Sequence, residues 1–134
     1  IKSLVPKNGT LIDLLEPKII DVVENGRLYL DGKKMVPSNS RSIMDRKYLS
    51  VQGILFVSMV LNSKGHLARP IQITMKGIPL EDKDLISALD KEIRRLAKSN
   101  LNGREDEIRK VFRSIIVQMC AKRPLIELHV FKDY

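Results

Sequence analysis

Ile54-Leu55-Phe56-Val57-Ser58-Met59-Val60-Leu61 is a run of eight residues in which Ser58 is the one polar side chain. A segment this short and this continuously apolar reads as a central strand covered on at least one face. The turn residues Asn62-Ser63-Lys64-Gly65 follow it, and Pro70-Ile71-Gln72-Ile73-Thr74-Met75 then alternates as a half-exposed strand does. The two are expected to form a hairpin.

Downstream, the hydrophobic period changes from two to that of a helix. Leu85, Ile86, Leu89, Ile93, Leu96 and Ala97 share one face, with Asp82 as the expected N-cap. Asn102-Gly103 interrupts this pattern. A second helix opens on Glu105-Asp106-Glu107, acidic where the helix dipole favours negative charge, and buries Ile108, Val111, Phe112, Ile115, Ile116 and Met119 before Pro124. Leu125 to Phe131 alternates again, with Ile126, Leu128 and Val130 on one face and Glu127 and His129 on the other. The order β-β-α-α-β predicts an α+β domain, a small three-stranded sheet with two helices packed on it.

Upstream of the central run, Ile43 to Leu49 reads as a short helix and Pro37-Ser38-Asn39-Ser40-Arg41-Ser42 as a linker. Asn8-Gly9, Asn25-Gly26 and Asp31-Gly32 punctuate the residues before that, separating three short strands, 10–15, 19–23 and 27–30. So few short strands do not bury both faces alone, so this arm is expected to complete a sheet whose remainder lies elsewhere. The expected division is a β-rich arm over 1–37, a linker over 38–50 and an α/β domain over 51–134. The chain begins at Ile1 with no initiator methionine, and its first residues read as interior sheet sequence, so it is expected to be cut from something longer.

With 134 residues and 43% hydrophobic content, the chain has enough material for one core of ordinary size. No window approaches the roughly 20 apolar residues of a membrane span, so no membrane role is expected. Cys120 is the single cysteine and cannot form an internal disulfide, which makes the cytoplasm the expected compartment. Against 16 acidic residues stand 24 Lys and Arg, a formal charge of +8. RNA, DNA and acidic lipid would all respond to such a surface by releasing counterions, and a parent protein whose other domains balance the charge explains it equally.

Chemistry is sparse. A hydrolytic metal centre needs three or more His, Asp, Glu or Cys ligands, and the two histidines, His66 and His129, stand far apart with no companion motif. Cys120 lies on an apolar helix face where a thiolate is disfavoured. The glycines are scattered singly, so no phosphate loop is present. The remaining signal is basic. Lys91, Arg94, Arg95 and Lys98 line one side of the first helix, and Arg109, Lys110 and Arg113 project from the second. Such runs are either solvated helix faces, partly neutralised by pairs such as Asp90-Arg94 and Glu105-Arg109, or a patch that tracks phosphates. Three Tyr, three Phe and no Trp leave little for base stacking, so any RNA contact is expected to be to the backbone.

Several of these segments together resemble a known family. Gly26-Arg27-Leu28-Tyr29-Leu30-Asp31-Gly32, followed by Met44-Asp45-Arg46-Lys47-Tyr48-Leu49-Ser50-Val51-Gln52-Gly53-Ile54, is similar to the segment after the catalytic core of ribonuclease J, where a G-R-x-x-x-D-G turn precedes R-D-R-x-x-L-S-x-D-G-I. Gly65-His66-Leu67 with Pro70 to Gly77 resembles that family's G-x-L and G-P-x-I-I-S-R-G-F, and Lys122-Arg123-Pro124-Leu125-Ile126 its closing R-R-R-P-M-I. The likeness runs from about residue 8 to the end. Three departures stand out: Gln52 replaces Asp, Ile78 replaces Phe, and Lys76 replaces Arg, a point charge in place of a bidentate fork.

The resemblance implies a parent enzyme with a metallo-β-lactamase core, a β-CASP insertion and two zinc ions, acting on RNA as a 5′-to-3′ exonuclease and endonuclease. Its His-x-His-x-Asp-His motif is expected upstream of this chain. The chain itself would then be a non-catalytic C-terminal domain with no catalytic or metal-binding residue. It would support a homodimer or higher homo-oligomer and touch RNA through Lys76, Arg94, Arg95, Lys98, Arg109, Arg113, Lys122 and Arg123. The alternative is a stand-alone basic module for RNA binding or protein association.

Overall fold

The arm is built from two hairpins. In a computed structural model that describes residues 3–133, β1 (Thr10–Asp13) pairs antiparallel with β2 (Lys18–Val22), and β3 (Leu28–Asp31) with β4 (Lys34–Pro37). The Asp13 carboxylate accepts from the backbone N–H of Leu15 at 2.9 Å and of Glu16 at 3.3 Å, closing the first turn. Gly32 takes a positive φ between the paired residues Asp31 and Lys34, so the second turn has a two-residue loop. The fourth strand, Lys34–Pro37, is absent from the sequence reading because its polar start and terminal proline mask an alternation of only four residues. The sheet reading of the first residues falls partly on Ile1 and Lys2, outside the described residues, and Ser3 to Lys7 form no strand.

The short helix expected over Ile43 to Leu49 is present but longer, α1 (Arg41–Gln52), and takes up most of the stretch assigned to the linker over 38–50. Short polar residues before a helix are start signals as much as linker signals, and here the Ser40 carbonyl accepts from Ile43 and Met44 at 3.1 and 3.0 Å. The chain divides within this helix into two compact units, Ile1–Met44 and Asp45–Tyr134.

The second unit has the expected β-β-α-α-β order: β5 (Ile54–Leu61), β6 (Gln72–Lys76), α2 (Asp82–Leu96), α3 (Glu105–Cys120) and β7 (Leu125–Lys132). The architecture is α+β. β5 is central, antiparallel to β6 and parallel to β7. Alternate residues of β5, Leu55, Val57, Met59 and Leu61, are almost fully buried, together with Leu85, Leu89 and Ile93 of α2, Ile108, Phe112 and Ile116 of α3, and Ile126 and Leu128 of β7. Both helices therefore cover one face of the sheet. The other face carries Phe56, Thr74, Leu125, Glu127, His129 and Phe131, all exposed.

Four local expectations are corrected. Asp82 is the first residue of α2, and the flanking Glu81 makes no side-chain cap. Ile86 and Met119 are exposed at the rim of the apolar stripes, and Cys120 is half-buried at the last residue of α3. A stripe read at 3.6 residues per turn does not show where the partner surface ends.

Gly53 joins α1 to β5 with a φ of +80°, and a Cβ there would lie 2.7 Å from the carbonyl oxygens of both Lys76 and Gly77. Glycine is required on both counts. Gly53→Ala is expected to lower the unfolding free energy of the chain by about 2 kcal/mol or more. Gly26→Ala, at an ordinary φ with nothing within 4 Å, should stay within about 0.5 kcal/mol. Ala121 closes α3 in the left-handed region at φ 56°, and Ala121→Gly is expected to stabilise by about 0.5–1 kcal/mol. Denaturant unfolding of the three variants beside the parent chain checks both signs.

Candidate nucleic-acid interface

Three separate segments converge at the end of the sheet where β5 and β7 begin. The last turn of a helix leaves carbonyls without intrahelical donors, and at the end of α1 the Lys122 ammonium donates to the Val51 carbonyl at 2.5 Å. This also places a cation at the negative end of the helix dipole. Gln52 Oε1 accepts from the Arg123 backbone N–H at 2.8 Å, the Tyr48 hydroxyl donates to the Arg123 carbonyl at 2.5 Å, and Leu125 N–H donates to the Gly53 carbonyl at 3.1 Å. Gly53 in turn lies against Lys76 and Gly77 at the end of β6. The end of α1, the end of β6 and the α3–β7 loop are thereby fastened together, leaving the side chains of Lys76 and Arg123 exposed.

Of the eight residues expected to meet RNA, this corner brings together Lys76, Lys122 and Arg123. The ammonium of Lys122 is already committed to α1. The remaining five sit on the helix layer. Arg94 is paired with Asp90 at 2.6 Å, Arg95 with Glu92, and Arg109 with Asp106 at 2.8 Å. Arg109 therefore uses the acid three residues back, and not the Glu105 expected from four-residue spacing. Arg113 is half-buried, with its Nε enclosed and without a hydrogen-bond partner. Lys98 is exposed just beyond α2.

The C-terminal end of α2 belongs to the opposite end of the sheet. There the His66 Nδ1 lies 3.2 Å from the Ala97 carbonyl, and Leu101 N–H donates to the Gly65 carbonyl at 2.9 Å. The basic residues thus form two groups at the two ends of β5, not one continuous stripe. Sequence reasoning missed Arg104, whose guanidinium grips the Glu107 carboxylate at 2.7 and 2.8 Å and the Ser99 hydroxyl at 2.5 Å, tying the α2–α3 loop to α3. The i, i+3 spacing of Arg104 and Glu107 was its legible signal. Tyr48 was missed as a positioning residue, because nothing local in a helix indicates a hydroxyl reaching a loop 75 residues away.

A metal does not fit these side chains. Among the described residues no group of three His, Cys, Asp or Glu is placed to hold an ion. His66 is occupied by a backbone carbonyl, His129 stands on the open face of β7, and the Cys120 Sγ lies 3.4 Å from the Ile116 carbonyl. Among the described residues, too, no helix is long and apolar enough to cross a membrane.

The hydrogen bond from Arg95 holds the Glu92 carboxyl below its ordinary range, and that from Arg104 does the same to Glu107. Both acids are depressed in the folded state, so any stabilisation they give is present above the unfolded carboxyl pKa and is lost as pH falls through the folded one. As exposed pairs they are screened by salt. A carboxyl-detected NMR titration should show both glutamates titrating low, and Arg95→Gln should raise the midpoint of Glu92 more than that of Glu107, which Arg95 lowers only through its charge while Arg104 holds it by a hydrogen bond.

A family model described as the ribonuclease J C-terminal domain matches residues 41–132. The ribonuclease J of Sinorhizobium meliloti is 25% identical over 138 aligned residues, which cover 94% of this chain and 24% of that protein. The chain therefore spans about a quarter of the length of this curated relative.

Proposed function

The chain belongs to the ribonuclease J C-terminal domain family, and from that premise we propose that it is the non-catalytic C-terminal part of a ribonuclease J-like enzyme acting in RNA decay and processing. The match over residues 41–132 carries this reading. In the whole enzyme a metallo-β-lactamase core, outside this chain, would hold two zinc ions, which would supply activation of water for attack on phosphorus. The enzyme works from the 5′ end and also internally, in the cytoplasm, as a homodimer or higher homo-oligomer. No step of that chemistry is assigned to a residue of this chain.

Two tasks remain for the chain in this reading. One is self-association, favoured by the sheet face without a helix layer, where Phe56, Leu125 and Phe131 stay exposed. The other is electrostatic contact with the RNA backbone at the Gly53 corner, where Lys76 and Arg123 keep their charges toward solvent. Arg94, Arg95 and Arg109 are already paired and contribute less, because breaking an ion pair offsets part of what a phosphate returns. The arm over 1–37 completes the sheet of the absent core, a role suited to hairpins that expose Leu14, Leu15, Ile19 and Ile20. The same charge of +8 also favours a basic RNA-binding module that works without a catalytic partner.

The chain is expected to give no metal-stimulated cleavage of RNA, and robust cleavage by a clean preparation would overturn the non-catalytic reading. Its RNA affinity should fall steeply between about 50 and 200 mM salt, with a slope that reports several phosphates. The double substitution Lys76→Ala with Arg123→Ala should lower that slope by about one to two, where Arg94→Ala with Arg109→Ala changes it little. Undetectable affinity even at low salt would remove the RNA role, for the domain and for the independent module alike.

A further inference from the structure

We propose that β7 pairs antiparallel with β7 of a second copy of this chain, in a register centred on Leu128, so that two three-stranded sheets become one of six strands. The strand order β6-β5-β7 leaves β7 at an edge. Its eight residues contain neither proline nor glycine, so its outer side offers a long row of backbone donors and acceptors.

The residues of β7 select the register. A two-fold axis perpendicular to the sheet keeps both helix layers on the same side and requires residues of equal parity to face each other. Centred on Leu128, it places Glu127 opposite His129, Leu125 opposite Phe131 and, just beyond the strand, Arg123 opposite Asp133. Each of these contacts occurs twice by symmetry. All six residues are exposed in the isolated chain. The pairs join a carboxylate to an imidazole, two apolar side chains, and a guanidinium to a carboxylate, which are the cross-strand combinations that stabilise a sheet. On the helix side, Ile126 meets Val130 and Leu128 meets its own copy.

The neighbouring registers lack this complementarity. Centring on Glu127 sets two carboxylates against each other, and centring on His129 sets Glu127 against the ring of Phe131. The other edge strand, β6, has only five residues, and its exposed Gln72, Thr74 and Lys76 include no acid to complement the lysine.

This inference rests on the self-association reading above and assigns it a surface. It is tested on the full chain carrying Cys120→Ser. A chain with Leu125→Cys, mixed with one carrying Phe131→Cys and gently oxidised, should form a disulfide-linked heterodimer. Each variant alone should not, because like positions are then six residues apart along the paired strands, roughly 20 Å, beyond the reach of a disulfide. In sedimentation, Glu127→Lys should weaken the dimer about tenfold or more, and adding His129→Glu should restore it, a rescue that a folding defect would not show. A dimer that persists without the 125–131 link and is indifferent to Glu127→Lys overturns the β7 surface and leaves self-association standing. A chain that stays monomeric with no link overturns both.

Discussion

Everything in the second unit depends on the central position of β5. Its two neighbours satisfy the backbone on both sides, one antiparallel through a hairpin and one parallel. A parallel neighbour cannot be reached by a tight turn, so the chain must cross over the sheet before returning beside β5. α2 and α3 are that crossover. Their apolar stripes supply the cover that Leu55, Val57, Met59 and Leu61 require, so topology and core follow from the same requirement.

The parallel pairing also explains the Gly53 corner. β5 and β7 begin at the same end, so the two segments that enter them, the end of α1 and the α3–β7 loop, must lie side by side. The backbone of β6 leaves at that point as well. Gly53 admits the close approach, and Tyr48, Gln52 and Lys122 tie the loop to the helix through backbone atoms. Gln52 accepts a backbone N–H, a task within the reach of the aspartate that the related pattern carries there. Gly53 and the Lys122-Arg123-Pro124 segment, which resemble the ribonuclease J pattern, both sit at this corner.

Charge has a different logic. The net excess of basic residues is a property of composition, but the local field depends on which of them already have partners. Arg94, Arg95, Arg104 and Arg109 face acids three or four residues away on their own helix or its flank, and these contacts are exposed and contribute little to stability. Lys76 has no acid at such spacing, and Arg123 enters a strand, where four residues of extended chain set Glu127 about 13 Å away; both basic side chains stay open to solvent. A count of basic residues by helix face therefore overstates the helices and understates the loop.

Local periodicity was enough to determine the α+β class, the order of elements from Ile54 onward and most of the core, because alternation and 3.6-residue spacing are short-range patterns imposed by one buried face. The likeness to ribonuclease J was legible in the same residues. The fourth strand of the arm and the true ends of the helix read over Ile43 to Leu49 were not, since four residues show no clear period and short polar residues precede both linkers and helices. Only the tertiary structure decided that β7 lies parallel to β5 at an edge, that Gly53 must be glycine, and that Lys76, Lys122 and Arg123 share one corner. Each of these brings together residues tens of positions apart, and separation in sequence carries no information about contact until the chain has folded back on itself.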